Sequence, residues 1–142
     1  YNMDGVSGYA SPMQAWLSAR FDCQTAADKA YWVAPFKAEI RRVFVTIMDG
    51  ETDAGGATIA FDKVTSSTRG TGDVEIVVIT AANNDSKYFY SEPATAVTVS
   101  PGDQVFVEVT GEGVTGLNVV AGILYQESPE VITNITNAVK SA

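Results

Sequence analysis

The chain has 142 residues and a mass of 15.0 kDa, with 9 Lys and Arg against 17 Asp and Glu, no His and one Cys. That length suits one compact domain. The absence of His excludes Ser–His and Cys–His nucleophile pairs and His-ligated zinc or iron, and a single Cys excludes an internal disulfide and multi-cysteine metal clusters.

A net charge of −8 argues against a nucleic-acid surface, which needs clustered Lys and Arg. No apolar run approaches the length of a membrane span and no signal peptide is read. The chain opens at Tyr1 instead of Met, so a processed or trimmed polypeptide is expected. Val 18, Ile 8 and Thr 14 stand against Leu 3. β-branched side chains suit a pleated surface better than a helix, so the chain reads as all-β.

In chain order, residues 1–22 form an N-terminal arm punctuated by Gly5, Ser7, Gly8 and Ser11. Ser11-Pro12 predicts a short helix, with Ser as N-cap and Pro at the first helical position. Met13, Trp16 and Leu17 would then share one helical face.

Eight strands follow in a domain over 23–127. The first covers Tyr31–Phe36, where Pro35 marks a sheet edge or strand end. The second is Ile40–Met48, with Val43, Val45 and Ile47 inward, and the third is Ala57–Val64, with Ile59 and Phe61 inward. Val74–Thr80 is apolar on both faces and reads as a strand covered on both sides. Lys87–Ser91 and Thr95–Val99 come next. Ser100-Pro101-Gly102-Asp103 predicts a type II turn that joins Val97 and Val99 to Val105, Val107 and Val109 in a hairpin. The last strand, Leu117–Tyr125, turns Leu117, Val119, Ala121, Ile123 and Tyr125 inward. Short strands without interleaved helices predict a single antiparallel β-sandwich of jelly-roll type. The tail 128–142 is an arm or short helix, in which Ser128-Pro129 repeats the helix opening and Val131, Ile132, Ile135 and Val139 recur at helical spacing. Its Thr and Asn residues leave an extended arm open.

Candidate chemistry is sparse. Gly111–Gly116 (GEGVTG) matches G-x-G-x-x-G, but a strand pattern follows where a dinucleotide site needs a helix, so the glycines read as a hairpin loop. Asp49, Glu51 and Asp53 alternate like the start of a calcium loop, yet Ala54 and Ala60 stand where Gly and Glu are required, which leaves a solvated acidic turn. Asp62, Glu75 and Glu108 are the carboxylates a glycosidase reading would use, against the plainer reading of solvated strand faces. Cys23 reads as packed and inert. Asn134-Ile135-Thr136 spells a glycosylation sequon. Tyr31, Trp32, Tyr88, Phe89 and Tyr90 are the candidates for an aromatic sugar platform, against ordinary packing. No catalytic residue, cofactor or metal is expected.

What remains is surface apolarity. Phe44, Phe106, Val120 and Leu124 fall opposite the inward set. With Met13, Trp16, Leu17, Val131, Ile132, Ile135 and Val139 they form more apolar exterior than a lone domain of this size needs, which predicts contact with neighbouring subunits.

The order of a proline-containing aromatic strand (Tyr31–Phe36), Ile40–Met48 with its DG turn, the run Val97–Val109 around Pro101-Gly102-Asp103, and Gly113–Val119 resembles jelly-roll structural proteins of tailed bacteriophages over residues 30–126. Capsid decoration, or cement, proteins are the most similar group. The resemblance implies a non-enzymatic protein on the outer capsid surface of the virion. It would self-associate as a homotrimer and clamp neighbouring subunits of the major capsid protein. A carbohydrate-binding or tail- or head-fibre sandwich module is the alternative.

Overall fold

The structure, a computed structural model, describes residues 12–49, 56–64, 73–79, 87–112 and 116–128; of Asp49 and residues 73–79 the backbone alone is described. Ten strands are present: β1 (Met13–Leu17), β2 (Phe21–Asp22), β3 (Ala27–Val33), β4 (Ala38–Asp49), β5 (Ala57–Val64), β6 (Asp73–Ile79), β7 (Tyr88–Ser91), β8 (Val97–Val99), β9 (Gln104–Gly111) and β10 (Asn118–Glu127). They form two antiparallel sheets, and no described residue is helical. The all-β sandwich expected from the β-branched composition is what forms, and its strand order is compatible with a jelly roll.

The larger sheet is organised on one long pair. β10 lies antiparallel to β4 from Asn118↔Asp49 to Glu127↔Ala38. β1 and β2 follow one another along the far side of β10, while β7 and β8 follow one another along the far side of β4. The break between β1 and β2 is bridged by Ser18, whose backbone N–H donates to the Ala121 carbonyl at 2.8 Å and whose hydroxyl accepts from the Ala121 N–H at 2.9 Å. The smaller sheet runs β3-β9-β5-β6.

Alternation along the long strands makes the core. Val43, Val45, Ile59, Phe61, Val105, Val107, Val109, Val119 and Ile123 are completely buried, as the period-two pattern predicts. Each such side chain contributes about 1.5–3 kcal/mol on burial. Trp32 tilts against Tyr125 at 4.7 Å between centroids, and the Tyr125 hydroxyl meets Gln14 Oε1 at 3.2 Å, so the amphipathic ring closes the rim with its polar end satisfied. Lys63 spans the gap between sheets, its Nζ donating to the Thr98 carbonyl at 2.6 Å.

Three expectations are corrected. Residues 13–17 form a strand, not a helix, so Met13 and Leu17 point outward while Trp16 packs against the core from the opposite face. Backbone pairing with β10 outweighs the local Ser-Pro signal, because a five-residue helix is marginal and a sheet edge is at hand. β1 and β2 both pair with β10 in the larger sheet.

The Ser100–Asp103 turn has the predicted geometry, with Gly102 at φ 89° and the Asp103 N–H donating to the Ser100 carbonyl at 3.0 Å. It is nevertheless no hairpin, because it carries the chain from β8 in one sheet to β9 in the other. Ala34, just past the end of β3, clamps it, accepting from the Gly102 N–H and donating to the Asp103 carbonyl. The glycines at 111 and 116 likewise belong to a crossover between sheets, from β9 to β10, with 113–115 outside the described residues. The β3 strand ends before Pro35, as its chemistry demands.

Candidate functional site

The outward positions of the larger sheet build the most distinctive surface of the molecule. With Val43, Val45, Val119, Ala121 and Ile123 inward, alternation turns Arg42, Phe44 and Thr46 of β4 and Val120, Gly122 and Leu124 of β10 to the outside. The register then sets them in rows across the strands. Leu17, Gly122, Phe44 and Tyr90 stand opposite one another in succession, flanked by the rows Ala15, Leu124, Arg42 and Val120, Thr46, Tyr88.

Gly122 shapes this surface. The Phe44 ring lies over it, and a Cβ there would collide with the ring. Absence of a side chain lets Phe44 lie down and bridge from β10 towards β7. Its ring tilts against Tyr88 at 5.5 Å between centroids, and Tyr88 stacks on Tyr90 at 5.5 Å.

Arg42 fixes the tyrosines. Its guanidinium carbon sits 4.2 Å from the Tyr90 ring centroid, Nη1 donates to the Tyr88 hydroxyl at 3.2 Å, and Nη2 donates to Glu92 Oε1 at 2.8 Å. The bond to Tyr88, and then that to Glu92, holds the guanidinium further in its charged form. One end of the row is thus a pre-ordered Tyr–Arg–Tyr cluster. Tyr90 remains 54% exposed and Leu17, at the other end, 60%. Arg41 occupies the bulge beside Leu124 and Tyr125, donating through Nε and Nη2 to Gln126 Oε1 and pairing with Glu39 at 3.1 Å, so that it frames the apolar row.

The sequence-predicted interface residues divide. Leu17, Phe44, Val120 and Leu124 share this face, and Met13 stands at its β1 end. Trp16 is turned inward, and Phe106 lies on the opposite side of the molecule, stacked on Tyr31 at 5.6 Å. Val131, Ile132, Ile135 and Val139 lie outside the described residues, as do the sequon and Glu51 and Asp53. The aromatic platform divides as well: Trp32 and Phe89 pack inward, Tyr31 belongs to the smaller sheet, and Tyr88 and Tyr90 belong to the larger. Sequence reasoning did not place Arg42, Tyr88 and Tyr90 on this face. The period-two spacing of Arg42 with Phe44 and of Tyr88 with Tyr90 was visible, but the pairing of β4 with β7 was not.

The remaining candidates hold no comparable geometry. Asp62 opposes Phe106 but is buried, which corrects its reading as a solvated strand position, whereas Glu108 opposes Ala60 and is half-buried. Among the described residues no group of three or more His, Cys, Asp or Glu is placed to hold a metal ion. Cys23 is fully buried, and desolvation pushes its thiol up to about 11, which keeps it protonated and unreactive at neutral pH. Asp22 accepts from Lys29 Nζ at 3.3 Å and from the Gln24 N–H at 3.1 Å, so that it pins the corner between β2 and β3. The Lys29 hydrogen bond holds its carboxyl below the usual carboxylate range.

No family model matches the chain, and no curated protein matches it. Among solved structures, a chain from the acid-stable capsid of Helicobacter pylori bacteriophage KHP30 superimposes with a TM-score of 0.53 at 16% sequence identity. The alignment covers 81% of this chain and 93% of that one, so this protein shares its fold with a chain of a phage capsid structure.

Proposed function

We propose that the protein is a non-enzymatic structural component of a bacteriophage virion. In this reading it is a capsid decoration protein that self-associates as a trimer on the outer shell and clamps neighbouring subunits of the major capsid protein. The observation that carries this reading is the apolar row Leu17–Phe44–Tyr90 across the larger sheet, with Val120, Leu124 and Tyr88 beside it. Soluble monomers keep contiguous apolar exterior small, and a row rich in Tyr, Arg and Phe has the composition of a protein-docking centre. The fold shared with a capsid chain supports the same reading.

Each apolar anchor contributes about 1.5–3 kcal/mol when fully buried, before ordering costs. Many copies on one shell make weak individual contacts collectively strong. Negative net charge keeps such a protein soluble at high copy number.

The test is reconstitution on purified capsids of the source phage, with occupancy read by mass spectrometry and particle stability by heating. Binding that raises the capsid's melting point and is lost in Leu17→Asp supports the reading. Absence of the protein from virions, or occupancy indifferent to Leu17→Asp, overturns it.

A glycan-binding fibre module is the second reading, favoured by the exposure of Tyr88 and Tyr90. Sugar stacking needs a free aromatic face, whereas these rings turn their faces to one another, to Phe44 and to Arg42. A glycan array separates the two readings.

A further inference from the structure

We infer that residues 131–139 of one copy add as a strand to the free edge of β1 in a second copy. This rests on the self-association proposed above and names the contact that performs it.

The argument begins with the sheet edges. An unpaired edge presents backbone donors and acceptors in a row, and proteins blunt such edges with charge, proline, bulges or shortness. β3 carries Asp28, Lys29 and a bulge; β6 carries Asp73 and Glu75; β2 and β8 have two and three residues; β7 lies against β6 of the other sheet. Only β1, Met-Gln-Ala-Trp-Leu, is five residues long with no charge and no proline. No described strand pairs with its far side. It is an edge left open for addition.

The occupant is indicated by the other terminus. Both ends of the chain carry Ser-Pro ahead of an apolar run, and at the N-terminal end that run is a strand. Read at period two, Val131, Thr133, Ile135, Asn137 and Val139 fall on one face, and β-branched residues dominate. Such a strand would extend the apolar row beyond Leu17 and Met13.

The exit of the chain favours a second copy. β10 is pinned to its end: Ser128 is buried and its N–H donates to the Lys37 carbonyl at 2.9 Å. Pro129 disfavours the helical region for Ser128, so β10 is extended to its last described residue. The 14 residues that follow Ser128 reach roughly 45 Å when extended. Mutual exchange of such arms closes a ring of copies.

The test uses the full chain. Sedimentation should show an oligomer, and Ile135→Asp should dissociate it while β9 and β10 keep their amide protection. Amides of Met13–Leu17 should then exchange about tenfold faster or more. A variant with Ala15→Cys and Ile135→Cys, treated with a short bismaleimide, should give covalent multimers on a denaturing gel. An oligomer that Ile135→Asp leaves intact overturns the inference and spares the proposed function, whereas a monomeric full chain absent from virions overturns both. Cross-linking confined within one chain assigns the arm to its own β1. Deprotection of β1 on deletion of residues 1–11, and not in Ile135→Asp, assigns the edge to the N-terminal segment. Either result overturns exchange.

Discussion

The two sheets turn different faces outward. On the larger, the outward positions of β1, β10, β4 and β7 meet across hydrogen-bonded strands, so that Leu17, Phe44 over Gly122, and the Tyr88–Arg42–Tyr90 cluster form one continuous row. On the smaller, Tyr31 and Phe106 stack on each other, the row runs on only to the buried Asp62, and the next row carries Glu108. An aromatic pair that satisfies itself is a local patch. A row that crosses four strands without a break can receive a partner, because flat continuity lets water leave the whole strip together.

That contrast can be broken most directly by truncating one tyrosine on each face. Tyr90→Ala is expected to weaken capsid binding by about 2 kcal/mol, the size of a binding hot spot, and Tyr31→Ala to leave it nearly unchanged. Equal losses in a titration of labelled protein against capsids would erase the distinction between the faces.

Gly122→Ala probes the larger face from beneath. The new methyl must evict the Phe44 ring, so thermal or denaturant unfolding should show a loss of about 1–2 kcal/mol. Phe44→Leu in the same chain should recover part of it, since the pair is coupled. Additive losses would mean that Phe44 does not lie where the geometry sets it.

Arg42→Ala should lower the unfolding midpoint less than Gly122→Ala does, with an effect that shrinks as salt rises, because its partners are exposed. The same variant should quench less than Tyr90→Ala in capsid binding if the arginine positions the tyrosines instead of anchoring the partner itself.

The smallest effect belongs to the corner that both sheets share. Asp22 has its folded pKa depressed, first by Lys29, so its contribution is present above the ordinary carboxylate pKa and fades as pH falls through the lower folded value. Asp22→Asn should lower stability slightly at neutral pH, with the difference from the parent chain vanishing as pH falls through the folded value, so that the acid limb of a stability-against-pH curve flattens.

Much of the fold was legible because burial imposes a period. Val43, Val45 and Ile47, Val105, Val107 and Val109, and Val119, Ala121 and Ile123 all face inward as alternation requires, and Gly102 takes the positive φ that its turn needs. Topology was not legible in the same way. The turn at 100–103 has the same local chemistry whether the next strand returns beside the last or crosses to the other sheet, and here it crosses. The Ser-Pro opening at residue 11 misled for a related reason: a cap signal is worth little against the backbone pairing that β10 offers to five residues.

The candidate site shows the same division. That Phe44, Val120 and Leu124 point outward follows from the residues alone, since each sits one step from a buried neighbour. That Phe106 joins Tyr31 on the far side, that Phe44 lies over Gly122, and that Arg42 reaches Tyr90 depend on which strands pair and in what register. By itself, then, the amino-acid order determined a β-rich chain, the inward and outward sets and the shape of one turn, because these depend on neighbours one to three residues away. Only the tertiary structure decided which outward residues share a surface, because a surface is made of strands far apart in sequence, and their register is settled by the burial of the whole core.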